Sequence, residues 1–155
     1  TTICFSGLKS FAERNPSWYK STCYGDGTLG FDIKPNDLND DYDWEIFDIT
    51  GKDPGGVYGN INSLVASNWS YMPGYTGTRD HLTEGKYGCN YDIPKPRTYS
   101  EMPLLKAGHN YLLLVNHSGD VQSGFTLTFG KGTAIIKDPL EPSLKAANTN
   151  SELAY

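Results

Sequence analysis

Hydrophobic and polar positions alternate cleanly in several separated stretches of this chain, and the period is that of strands. Leu29, Phe31 and Ile33 fall on one face of Gly27–Ile33, with Gly30 and Asp32 on the other. Tyr42, Trp44 and Ile46 alternate with Asp43, Glu45 and Phe47 over 42–49, and Phe125, Leu127 and Phe129 alternate with Thr126 and Thr128. Tyr111–Asn116 is continuously apolar up to its last residue, as a strand covered on both faces would be. Residues 1–6 and 17–24 are also rich in β-formers. Turn chemistry stands between these segments, at Gly25-Asp-Gly27, Lys34-Pro-Asn-Asp37, Ser118-Gly-Asp120 and Gly130-Lys-Gly132.

Between Gly51 and Gly108 the periodicity fades, apart from a short candidate strand at 64–68. Long irregular stretches inside compact domains are uncommon and tend to be functional or disordered. The aromatics Trp69, Tyr71, Tyr75, Tyr87, Tyr91 and Tyr99 argue for order, because such rings need burial or a ligand. The pattern therefore predicts an all-β, jelly-roll-like sandwich of antiparallel strands over 1–138, with 51–108 as a long irregular insertion that folds against it. Residues 139–155 are small and polar and read as a linker, tail or weak terminal helix.

Composition narrows the function. The chain has 155 residues, a formal net charge of -5 and a mean hydropathy of -0.50. No Lys/Arg cluster is available to release counterions, which disfavours nucleic acid and anionic membrane as partners. The longest apolar run, Tyr111–Val115, is far short of the roughly 18 residues of a membrane span. No secretion leader is visible ahead of the first strand-like segment, so a mature protein or excised domain is expected.

The candidate chemistry is sparse. Asp37, Asn39, Asp41 and Asp43 stand at alternate positions, like the first half of a calcium loop, although Tyr42 occupies the place of the required Gly. Calcium ligation and a solvated turn are the two readings of this run. Asp41, Asp43 and Glu45 also share one strand face, with Cβ atoms about 7 Å apart at successive positions, which raises a glycosidase reading. His109 and His117 flank the apolar strand about 26 Å apart and cannot form one site. No nucleophile elbow or zinc-protease motif is present, so no catalytic apparatus is expected. Trp69 lies in an Asn/Ser/Gly/Tyr-rich segment. It reads either as an exposed platform for a sugar ring, with Asn68, Tyr71, Tyr75, Arg79 and Asp80 around it, or as a pin holding the insertion on the sandwich. Cys4 and Cys23 sit in neighbouring strand-like segments, and either a bridge between them or three reduced thiols is compatible with the spacing.

The order Trp18-Tyr-Lys, Gly27-Thr-Leu-Gly-Phe-Asp-Ile33, Asp41-Tyr-Asp-Trp-Glu-Ile-Phe-Asp48, His109-Asn-Tyr-Leu-Leu-Leu-Val115, Ser123-Gly-Phe-Thr-Leu-Thr-Phe129 resembles the bacterial pre-peptidase C-terminal domain. More closely, it is similar to domains of the large exported proteins of Bacteroidota that carry gliding-motility-associated sorting regions. The resemblance covers about 1–50 and 108–138. It implies a secreted or cell-surface, non-catalytic β-sandwich, sometimes calcium-stabilised, that binds an extracellular glycan or protein or spaces neighbouring domains of one polypeptide. With that oxidising setting, a Cys4–Cys23 disulfide is expected, leaving Cys89 unpaired. The alternatives are a structural spacer of a multidomain adhesin and an accessory domain of a secreted hydrolase.

Overall fold

A computed structural model describes residue 4 and residues 15–57, 60–82, 85–89, 96–117, 119–120, 123–138, 140 and 152–154. Among the described residues twelve strands are formed: β1 (Ser17–Thr22), β2 (Gly27–Thr28), β3 (Phe31–Pro35), β4 (Tyr42–Asp48), β5 (Leu64–Trp69), β6 (Thr76–Arg79), β7 (Tyr87–Cys89), β8 (Tyr99–Glu101), β9 (Leu104–Leu105), β10 (Asn110–His117), β11 (Phe125–Phe129) and β12 (Glu152–Ala154). One five-stranded sheet has the order β1-β10-β4-β5-β7, and a second has the order β12-β11-β3-β6-β8. The all-β sandwich read from the alternating segments is what forms. The stretch expected at 1–6 lies outside the described residues apart from Cys4.

The two sheets close on one principal core. Leu29, Phe31 and Ile33 meet Tyr42, Trp44 and Ile46, with Tyr111, Leu113, Val115, Phe125 and Leu127 packed among them. The Trp44 ring stands edge-on to Phe31, with centroids 4.9 Å apart. The outer face of the first sheet is covered as well: Phe47, Ile49, Val57, Leu64, Leu112 and Leu114 form a second buried cluster. This is why Tyr111–Val115 carries no polar position, since both faces of β10 are dry.

The middle of the chain is not an insertion outside the sheets. It supplies β5 and β7 to the first sheet and β6 and β8 to the second. It also breaks the expected all-antiparallel pattern, because β5 pairs β7 and β6 pairs β8 in parallel. At the far end of the chain, Glu152–Ala154 pairs antiparallel with β11, so the part of the tail that is described is a strand.

The disulfide differs from expectation. Cys4 bonds to Cys89, with Cα atoms 5.6 Å apart, and Cys23 is the free thiol. The Cys4–Cys23 pairing fails because the two residues serve different layers. Cys23 is buried in the core between the sheets, where its Sγ lies 3.1 Å from the Gly25 carbonyl. Cys4 and Cys89 are buried with Trp69 on the outside of the first sheet.

Candidate functional site

Three connections meet at one end of the sandwich: 36–41 between β3 and β4, 70–75 between β5 and β6, and, just ahead of β11, Ser123 and Gly124. Asp40 ties them together. Its Oδ2 accepts the Ser123 amide at 2.8 Å and the Ser123 hydroxyl at 2.6 Å, and its backbone carbonyl accepts the Gly74 amide at 3.0 Å. Gly74 reaches that position with φ +98, a left-handed conformation that favours glycine. Asn36 adds a second tie, its amide donating to the Gly124 carbonyl at 2.9 Å and its Nδ2 to the Ser123 carbonyl at 2.8 Å. The Ser123 side chain also accepts the Asp37 amide at 2.8 Å.

The electrostatics follow from these contacts. The hydroxyl and amide of Ser123 hold the Asp40 carboxyl below the ordinary carboxylate range, burial opposes this, and the imidazole of His117 adds to the lowering. His117 Nε2 stands 3.6 Å from Asp40 Oδ1, and its ring is buried edge-on to Tyr42 at 4.8 Å. Burial, then the Asp40 charge, push the Tyr42 phenol up. Ser123 and His117 both face the same carboxylate. The imidazole therefore does not stand between a hydroxyl and an acid, as a serine nucleophile would need.

On this tied frame, apolar side chains face water. Leu38 is 54% exposed, Tyr71 58%, Tyr75 44% and Met72 36%. Among the described residues, Tyr24, Ile61, Leu104, Ile135 and Leu140 are the other exposed large apolar side chains. Of those five, Tyr24 and Ile135 are neighbours, the Tyr24 amide donating to the Ile135 carbonyl at 2.6 Å, and exposed apolar side chains in ones and twos are ordinary for a surface. Four on two adjoining loops are a patch, and patches mark interaction sites.

The six residues expected to form a sugar platform separate. Asn68 is buried between the sheets, where its Nδ2 donates to the Arg97 carbonyl and the Ser100 hydroxyl, each at 3.0 Å. Trp69, one position on, points to the opposite face of β5 and is 4% exposed under Cys4 and Cys89. Its indole N–H donates to Glu45 at 2.9 Å, so it is the pin and not the platform. Arg79, at the far end of β6, pairs with Asp32 at 2.7 Å and lies 3.8 Å over the Tyr99 ring. The Tyr99 hydroxyl in turn donates to Asp32 at 3.1 Å, and burial pushes that phenol up to about 12. Asp80 is exposed and engages His81. Tyr71 and Tyr75 alone belong to the patch.

The acidic run separates too. Asp37 Oδ1 accepts the amide and Nδ2 of Asn39, each at 2.9 Å, in an exposed turn. Asp43 lies five residues on from the Leu38 tip, on the outer face of β4, and is 5% exposed. Its Oδ1 makes no hydrogen bond, and burial, then the charges of Asp41 and Glu45, push its carboxyl well above the ordinary range. No group of three or more His, Cys, Asp or Glu side chains among the described residues is arranged to hold a metal ion. Glu45 is wholly buried beside Trp69, which removes it from any substrate. At the opposite end of the sandwich, His109 Nδ1 lies 2.7 Å from Asp48 Oδ2.

Leu38, Asp40, Met72 and Ser123 are the site residues that sequence reasoning passed over, and His117 was weighed only as a partner for His109. An alternating pattern picks out Asp37, Asn39, Asp41 and Asp43 and skips Asp40, but the loop turns instead of running extended, and the skipped residue becomes its keystone. No protein-family model, curated protein or solved structure matches the chain.

Proposed function

We propose that this domain is a non-catalytic binding module of an exported bacterial surface protein, and that its binding face is the three-loop end. The observation that carries the reading is the exposure of Leu38, Tyr71, Met72 and Tyr75 on loops that Asp40 and Ser123 fasten to each other. Fastened loops lose little further freedom when a ligand arrives, and exposed tyrosines give large contact area at low entropic cost. A Cys4–Cys89 disulfide accords with a secreted or cell-surface setting. The ligand class is an extracellular glycan or protein. A spacer domain has no use for an aromatic cluster in this region, which is why the binding reading is preferred over it.

Calcium enters this reading through the family resemblance alone, since Asp37 and Asn39 bond to each other while Asp43 is buried. A melting curve with millimolar calcium against one with a chelator tests it, and coincident curves remove the ion from the proposal. The binding face is tested by an array of extracellular glycans and matrix proteins probed with the native chain and with Tyr71→Ser/Tyr75→Ser. Binding that the double variant loses supports the reading. Undiminished binding by the variant moves the face elsewhere.

A further inference from the structure

We infer that the outer face of the second sheet is a binding floor for a short neutral oligosaccharide. The inference goes beyond the reading of the loop end and touches it only at Tyr75. The first sheet covers its outer face with Phe47, Leu112 and Leu114, whereas the second turns polar side chains outward. Asp32 and Lys34 alternate with the buried Phe31, Ile33 and Pro35, and Thr126 and Thr128 with the buried Phe125 and Leu127. Register sets Thr128 beside Asp32, Asp32 beside Gly77 and Gly77 beside Tyr99, one row across β11, β3, β6 and β8.

The charged groups on this floor are fixed. Asp32 Oδ1 receives Arg79 Nη1 at 2.7 Å and the Tyr99 hydroxyl at 3.1 Å, and the guanidinium lies 3.8 Å over the Tyr99 ring. Gly77 makes this possible, because it puts no side chain between Tyr99 and Asp32, and a Cβ there would run into the Phe31 carbonyl. A charge that merely faces water gains little from being fixed and loses rotamer freedom. The fixing leaves oriented capacity unused: among the described residues nothing bonds Asp32 Oδ2, Arg79 Nε and Nη2, or the hydroxyls of Thr126 and Thr128. Lys34 and Arg79 balance Asp32 and Glu101, the last in register with Arg79, so the floor offers donors and acceptors with no net sign. Neighbouring sugar hydroxyls use guanidinium donors and a carboxylate acceptor together, while a charged ligand would meet its own sign. Tyr75, next to the inward Thr76, is 44% exposed at the rim and supplies a ring for stacking. Groups set on strands keep the geometry that such contacts need.

The test uses the whole chain, isotope-labelled on its amides, titrated with cellohexaose, mannohexaose and chitohexaose as neutral probes and with hexagalacturonate as an anionic one. At least one neutral probe is expected to shift the amides of Asp32, Gly77, Thr128 and Tyr99. Lys34→Ala/Thr128→Val alters only outward positions, so its remaining amides should stay in place while its affinity for that probe falls about tenfold. Undiminished binding by this variant overturns the inference, and so does binding of hexagalacturonate alone. Shifts confined to Leu38, Met72 and Gly74 also overturn it and leave the loop end standing as the binding face. If all four probes leave the sheet amides unmoved, the inference falls.

Discussion

Trp69 and Glu45, on adjacent strands of the first sheet, are joined by an indole-to-carboxylate hydrogen bond of 2.9 Å, and neither side chain reaches water. A buried carboxylate gains most from a donor that cannot be replaced by solvent. Trp69→Phe keeps much of the ring and removes this donor, and is expected to lower stability by about 1–3 kcal/mol. Trp69→Ala, which also empties the space beneath Cys4 and Cys89, should cost about 3–5 kcal/mol. Denaturant melts of the two variants check the order, and a Trp69→Phe chain as stable as the native one would mean that the hydrogen bond contributes nothing of its own.

The Cys4–Cys89 bond closes a separation of 85 residues. Chain-entropy reasoning puts its stabilisation at about 4–5 kcal/mol, within the usual 2–5 kcal/mol cost of losing a native bridge. Cys89→Ser should therefore lower the melting temperature markedly, while Cys23→Ala, which removes a small side chain from the core, should cost far less. Alkylation of the denatured, unreduced chain followed by mass mapping should label Cys23 and recover Cys4 and Cys89 as one linked peptide. Label on Cys4 would refute the pairing.

Asp43 is a carboxylate whose folded form resists ionisation, because it is buried and because Asp41 and Glu45 repel its charge. Its folded pKa lies above the unfolded value, so the native state binds the extra proton and stability falls as pH rises through that interval. Asp43→Asn removes the penalty. The variant should match the native chain below about pH 4 and exceed it at pH 7 by on the order of 1–4 kcal/mol, as for other buried charges replaced by neutral groups. Urea titrations at the two pH values decide, and a variant less stable at pH 7 than at pH 4 relative to the native chain would reverse the sign.

Asp40 behaves in the opposite sense. Its folded pKa is lowered, first by the Ser123 hydroxyl and then by the Ser123 amide, so its contribution is present above the unfolded value and is lost as pH falls through the folded one. Ser123→Ala should cost about 1 kcal/mol near pH 7, at the low end for hydrogen bonds to a charged acceptor because this end is partly wetted. The cost should shrink below pH 3. Amide exchange at Gly74 should quicken in the same variant, since the loop that accepts its hydrogen bond loses an anchor.

The sandwich was legible in the sequence wherever one strand face is apolar. β3, β4, β10 and β11 alternate or run apolar as their burial requires. β6 defeats that logic, because its inward positions are Thr76 and Thr78. Their hydroxyls are consumed inside, Thr76 accepting the Trp44 indole N–H at 3.1 Å and Thr78 accepting the Phe31 amide at 3.0 Å. A polar residue satisfied in the core looks in sequence like one facing water. Asn68 deceives in the same way, and Trp69 was misplaced with it. The disulfide was hidden for another reason: only the parallel pairing of β5 and β7 sets Cys89 beside Trp69, and parallel neighbours leave no local turn signal. Of the loop end, Tyr71 and Tyr75 could be read as exposed aromatics, but its fastening by Asp40 depends on a turn that brings Ser123 across 83 residues.

The position of β10 has a consequence for the order in which this domain can come into being. β10 lies between β1 and β4 and pairs with both, yet it follows them in the chain by the whole of β5 to β9. A nascent chain released only as far as β9 would hold β1 and β4 with no ladder between them, each presenting bare backbone along one edge. The first sheet cannot close until Asn110–His117 has emerged, and the wait keeps the early two-thirds of the chain pliable. Synthesis delivers the strand on which the rest depends almost last, so completion of the domain is a single late event.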